Sequence, residues 1–465
     1  MKPMARCFTV IVSVVAALSL ACDPQQPIGP APDVSLHKNH DQGNPDCRLN
    51  GRGDGTGPVD FLCAIEIPGN PLTSSQKGWV EQSNATYFLS DASNSGVDVF
   101  DVRTHTFAGR VGGMAGAATT GGGTATTNGA GPNAFVSAPS RGGHGHGDDD
   151  DDGWKRHRRG PGRVLFVSDG NSTLHVVDMN SLQIIKTIST THSECDGGTA
   201  TTKFCGRSNE IDYDPVHHVI AVSNPNPLSY VKCAAPANCT NNAGITAAGA
   251  ALEGYLTLVS ARYPYKVLGH MTFGAGTVEG HVWVPQLNRF LLPMQGAPGG
   301  PFIEIINVRK QTTEPHRVYD CTALTGVAGT GNNNLRMAGR YIWAQMCGRP
   351  MRMNPRTGEV LNVVTKVSTG DEDWYNPGDG TFLVTGNDSA TGVASLGIMN
   401  ARTGAWLQNV PNIAGASPSA YAATNEIFTR AVFAAATDAT NRCVVKGRGC
   451  VVVFAHTVVP KAKKK

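Results

Sequence analysis

Seven short apolar stretches of one outline punctuate the chain: VDVFD (97–101), LHVVD (174–178), LTLVS (256–260), IEIIN (303–307), PMRMN (350–354), LGIMN (396–400) and VVVFA (451–455). Most end in Asp, Asn or Ser, whose short polar side chains start a tight turn by bonding nearby backbone N–H groups. Several continue as a turn and another strand, as in RTHTFAGRV, NSLQIIKTI, PRTGEVLNVV and ARTGAWLQNV. The final positions 260, 307, 354 and 400 lie 47, 47 and 46 residues apart, while the wider gaps before them hold insertions. A period of that length is the signature of a four-stranded unit, one propeller blade.

Upstream of most copies lie paired strand patterns: TYFLSDASNSG, VLFVSDGNST, NEIDYDPVHHVIAVSNP, VWVPQLNRFLLPM and DWYNPGDGTFLVTGNDS. Each alternates apolar and polar residues around a Gly, Asn, Asp or Pro turn, as hairpins do. One blade cannot bury both of its faces, whereas seven set radially can, with few free edges. The sequence therefore predicts an all-β, seven-bladed propeller over residues 58–457. VVVFAHT has no outer strand after it, and DFLCAIEIPG (60–69) has no blade of its own before TYFLS. Residues near 60–68 are thus expected to supply the outer strand of the last blade and close the ring.

The remaining segments read as tethers. With 55 Gly, 28 Pro and 16% charged residues, the composition suits many short strands joined by turns. Residues 22–57 are rich in Pro, Gly and Asn and form a flexible linker. Residues 112–161 are a low-complexity insertion ending in HGHGDDDDDGWKRHRRGPG, too poor in apolar side chains to offset the entropy of ordering. Residues 458–465 form a basic tail. A net charge of +3 over 465 residues gives no case for a nucleic-acid partner, which calls for a basic face.

Residues 1–21 read as a signal peptide: Lys2 and Arg6 precede an apolar run from Phe8 to Leu20, with small residues before Cys22. Cleavage before a cysteine points to lipidation at Cys22 and a membrane anchor, although Ser19 stands where such sites normally carry leucine. Of the 12 cysteines, cleavage removes Cys7 and lipid takes Cys22, leaving 10. They fall into neighbouring pairs: Cys47/Cys63, Cys195/Cys205, Cys233/Cys239, Cys321/Cys347 and Cys443/Cys450. Without a C-x-x-C pair or finger-like Cys/His spacing, disulfides are expected rather than zinc. Periplasm or cell surface is the expected location.

The stretch VLFVSDGNSTLHVVDMNSLQIIKTI resembles the YVTN-type repeat of exported bacterial seven-bladed propellers, the surface-layer-like and lactonase-like superfamily. The resemblance covers most of residues 60–456. It implies the propeller fold and export, but no single reaction, since fold does not fix function. The last repeat departs from the pattern: ASPSAYAATNEIF carries Ser417 and Ser419 but no histidine, where the resemblance implies a His-Ser pair.

Candidate chemistry sits where innermost strands begin. Asn209, Glu279 and Asp371 are equivalent when aligned on the prolines at 215, 285 and 377. Three oxygen-bearing side chains at a channel mouth suit a hard cation, Ca²⁺ or Mg²⁺. His192, Glu210, His281, Trp283, Glu372 and Trp374 are the expected ligand-binding residues, the tryptophans by stacking on a sugar or another planar ligand. The same acidic positions also suit plain structural work, bonding free backbone N–H groups. No G-x-S-x-G elbow, Walker loop, H-E-x-x-H or C-x-x-C-H motif occurs. The expected function is a cell-envelope platform for a small-molecule ligand or an envelope protein. The alternative is a divalent-metal-dependent lactonase or streptogramin-lyase-type enzyme acting at the channel mouth.

Overall fold

The computed structural model describes residue 47 and, between 57 and 457, all but 116–130, 141–161, 171, 191–206, 226–253, 274–276, 296–300, 327–331, 371, 412–416, 433–441, 444 and 446. Seven small antiparallel sheets form a ring, a seven-bladed β-propeller. The innermost strands are Gly78–Glu81, Pro132–Pro139, Ile211–Asp214, Val282–Val284 (with Thr277–Val278), Asn332–Ala338, Asp373–Asn376 and Pro418–Tyr421. The third strands are Gly96–Asp101, Thr173–Asp178, Tyr255–Ser260, Phe302–Asn307, Arg349–Met353, Ala394–Asn400 and Cys450–His456. All seven copies of the repeat outline are thus third strands.

Burial explains why those copies are legible. Strands in the middle of a blade are covered by neighbouring blades on both faces, so they read as nearly unbroken apolar runs. Phe88, Phe100, Phe166, Phe290, Phe382 and Phe428 are all fully buried on such strands. Apolar clusters bridge blades two and three, three and four, four and five, and five and six. A larger cluster joins blades six, seven and one. Outer strands such as Gln183–Ser189 are mostly exposed on the rim.

The turn after each third strand follows its chemistry. Asp101 Oδ1 accepts from the N–H groups of Arg103 and Thr104, and Asp178, Asn354 and Asn400 do the same for their own turns. Each third–fourth strand pair then carries a register shift, a bulge that strengthens local twist.

The seventh blade is built from both ends of the chain. Val59–Glu66 pairs antiparallel with Cys450–His456, from Val59 opposite His456 to Glu66 opposite Cys450. It carries the same bulge, between Phe61 and Cys63, so it is a full fourth strand, as expected for residues 60–68. Cys47–Cys63 and Cys443–Cys450 disulfides flank this closure, and Cys321–Cys347 staples blade five. Cys195, Cys205, Cys233, Cys239 and Cys22 lie outside the described residues.

One boundary needs correction. The 112–161 segment assigned to a low-complexity insertion contains Pro132–Pro139, the innermost strand of blade two. Its run Ala134-Phe135-Val136 is buried between blades, which a compositional reading of the Gly-rich surroundings conceals. The innermost strand of blade one, Gly78–Glu81, likewise precedes the first hairpin recognised from the sequence.

Candidate functional site

Three charged residues, each immediately before an innermost strand, meet at the ring's axis. Lys77, Glu210 and Glu372 precede Gly78–Glu81, Ile211–Asp214 and Asp373–Asn376. The Lys77 Nζ contacts Glu210 Oε2 and lies 2.9 Å from Glu372 Oε2, tying blades one, three and six together. Lys77 and Glu372 are buried, at 8% and 3% exposure. Burial works against the ammonium, but Glu210 and Glu372 outweigh it and hold the Lys77 amine above its ordinary range.

A second ion pair lies beside the first. Arg336, on the innermost strand of blade five, donates from Nε to Asp373 Oδ1 at 2.8 Å. Gln345 Nε2 donates to the other oxygen of Asp373 at 3.3 Å. The guanidinium also sits 5.4 Å from the ring centre of Trp374, a cation–π contact. Burial pushes the Asp212 carboxyl up, partly offset by the backbone N–H of Trp283, which donates to Oδ2 at 2.7 Å. His281 Nε2 donates to the Ala221 carbonyl at 3.0 Å, and Nδ1 lies 3.5 Å from the Glu279 carbonyl. Burial lowers the pKa of this imidazole, against the opposing pull of the Asp212 carboxyl.

These groups enclose a narrow axial cavity with about 40 Å³ of room for water centres, enough for about three waters. A wider bowl of about 410 Å³ opens where the same innermost strands end, lined by Val80, Glu81, Tyr375 and Pro377 among others. Trp79, Trp374 and Arg336 line both spaces. The two indoles pack edge to face, their ring centres 5.2 Å apart.

Of the residues singled out from sequence, Glu210, His281, Glu372 and Trp374 line the axial cavity together. Asn209 and Glu279 are brought into contact, the Asn209 amide donating to Glu279 Oε2 at 2.9 Å. Their aligned partner Asp371, and His192, lie outside the described residues. Among the described residues no group of three or more His, Cys, Asp and Glu is placed to hold a metal ion. Trp283 is buried in the packing of blades three and four, against Phe290 and His217. Ser417 and Ser419 link blade seven to blade one: Ser417 Oγ accepts from Gly78 N and Ser419 Oγ donates to Gly78 O.

Sequence reasoning missed Lys77, Trp79, Arg336 and Asp212. A signal for two of them exists. Lys77-Gly78-Trp79 aligns with Glu372-Asp373-Trp374 once GWVEQSNATYFL and DWYNPGDGTFLV are set side by side. Arg336 has no comparable signal, because its strand, Asn332–Ala338, begins with NNN and carries no aromatic and proline to align it with the other innermost strands. The site as a whole offers fixed charge, an amide and indoles. Compared with protein-family models and with curated proteins, the chain matches none.

Proposed function

We propose that this is an exported, lipid-anchored propeller of the YVTN-type class that binds a ligand at the cell envelope through its axial channel. The supporting observation is the convergence of Lys77, Glu210 and Glu372 on the axis, beside Arg336–Asp373. Well-packed apolar residues in place of such buried ion pairs often match or exceed their stability. Stability alone therefore does not explain why charge, rather than apolar bulk, lines the channel, and a recognition role does. Convergent polar groups around a concavity are the usual mark of a binding site. The three disulfides among the described residues suit an oxidising compartment outside the cytoplasm.

The test is a thermal-shift screen of charged small molecules against the full chain and a Glu210→Gln/Glu372→Gln variant. A compound that raises Tm in the parent and not in the variant supports the reading. No shift across cations, anions and zwitterions at millimolar concentration overturns it. Hydrolysis of a lactone panel, with a stoichiometric Ca²⁺ or Mg²⁺ lost in Glu279→Gln, would replace binding by catalysis. Intact mass of protein from the membrane fraction tests the anchor: a diacylated N-terminus at Cys22 is expected, and an unmodified mature chain refutes it.

A further inference from the structure

Each blade turns from its first to its second strand, and from its third to its fourth, at the same end of the disc. Across blades three to six those turns are short, two to six residues each, and leave a level surface. That surface is basic. Arg262 and Lys266 are exposed on blade three, Arg309 and Lys310 on blade four, Arg340 and Arg356 on blade five, and Arg402 on blade six. The acids at this end are mostly occupied: Asp214 pairs with His217, Glu314 with Arg289 at 2.6 Å, and Asp379 with His456 at 3.0 Å. Among the described residues there, Glu359 alone is an exposed acid. Apolar groups stand among the cations. Tyr263 is 70% exposed and Val216 61%, both on blade three, and Trp406, which opens the outer strand of blade six, is 41% exposed. The chain also enters and leaves the propeller at this end. Val59 opens the closing strand opposite His456, and Thr457 N–H donates to the Pro58 carbonyl at 2.8 Å. The segment from Cys22 and the terminal KAKKK therefore both attach to the basic face.

Resting on the lipid-anchored reading above and deepening it, we propose that this face lies flat against an anionic phospholipid bilayer. Lysine and arginine near such a surface are drawn to its negative potential. Tyrosine and tryptophan settle at the headgroup level, where one end of the ring is apolar and the other wet. A soluble polyanion would use the charges and leave Tyr263, Val216 and Trp406 without a role, which favours the bilayer.

A full-length Cys22→Ala chain, which has no thiol to acylate there, separates the face from the anchor. Its binding to phosphatidylglycerol–phosphatidylcholine vesicles is measured by co-sedimentation. Binding about tenfold or more tighter than to phosphatidylcholine alone, and weakening steeply with salt, is expected. Arg309→Gln/Lys310→Gln and Arg340→Gln/Arg402→Gln should each weaken it by about tenfold or more, since one charge near the surface is worth about fivefold. Lys186→Gln/Lys366→Gln removes the same charge from exposed positions on the rim and at the opposite end, and should leave binding unchanged. Phospholipid with brominated chains should quench tryptophan fluorescence in the parent, and less in Trp406→Phe. Equal weakening by all three double variants overturns the proposal. So does complete loss of binding in Lys461→Gln/Lys463→Gln/Lys464→Gln/Lys465→Gln, which would assign it to the tail. Binding to dextran sulfate without quenching by brominated lipid replaces the bilayer by a soluble polyanion. An acylated Cys22 in a protein whose Cys22→Ala form ignores vesicles refutes the docking face and leaves the anchor standing. Vesicle binding with an unmodified Cys22 does the reverse.

Discussion

Lys77 lies between two carboxylates, so its removal should be felt through them. Lys77→Met takes the shared ammonium away from Glu210 and Glu372 in a buried channel, which should cost about 3–5 kcal/mol of stability. Urea unfolding at pH 7 measures it. Adding Glu210→Gln and Glu372→Gln to that variant should recover most of the loss; additive losses would show that the three do not act as one unit. Asp98 makes a different case. It lies buried beside Asp91, both held by Arg110, and burial with the neighbouring Asp91 charge pushes its pKa up to about 8. The folded state therefore holds a proton that the unfolded chain releases near pH 4, and stability falls as pH rises from about 4 to 8. The slope is at most about 1.4 kcal/mol per pH unit, the limit for one proton. Asp98→Asn should flatten that slope in denaturant midpoints taken across the window, and an unchanged slope would exclude Asp98 as its source. Residue-level chemistry was only partly legible in sequence. Glu210, His281 and Glu372 stand out because proline-marked hairpins align them, whereas Lys77, which lacks that proline, gains its meaning only when the ring brings the starts of blades one, three and six together at the axis.

Elements were legible in proportion to their two-sided burial. Third strands announce themselves as apolar runs ended by a turn-forming Asp or Asn, and second strands follow from them. Innermost strands carry the polar channel lining, and some lie next to insertions, so Pro132–Pro139, though eight residues long, dissolves into its Gly-rich surroundings. Disulfide pairing was legible for Cys47–Cys63, Cys321–Cys347 and Cys443–Cys450 because neighbours in sequence are neighbours across a turn or a strand pair. Two of the three act on the closing sheet, one on each strand of the pair that joins the chain ends. The loop between Cys47 and Cys63 spans 16 residues, and opening it should cost about 3 kcal/mol by the chain-entropy estimate. Hydrogen exchange on Cys47→Ser/Cys63→Ser should show faster exchange first in Val59–Glu66, ahead of the middle strands. Uniform acceleration around the ring would mean that this staple does not act locally.

At the scale of the molecule, circular closure converts a set of individually weak blades into one body whose free edges are confined to the rim and the channel. Only seven bladed sectors with shared apolar faces bury the middle strands completely, and only the pairing of Val59–Glu66 with Cys450–His456 completes the last sheet. Removal of residues 1–66 would uncover one edge of the strand CVVVFAH, whose first six residues are buried in the closed ring. A bare, uncharged, β-branched edge is a template for pairing with another copy. The truncated chain should therefore form dimers and larger species by light scattering at concentrations where the full chain is monomeric. A synthetic peptide of residues 58–67 added during refolding should suppress that association by filling the vacant fourth-strand position, in the manner of strand addition. A scrambled peptide of the same composition should not, since the register runs residue by residue and the Phe61–Phe454 contact, with ring centres 6.5 Å apart, depends on it. A truncated chain that stays monomeric with parental Tm would show that the ring holds by blade packing alone, and that the closing strand is dispensable.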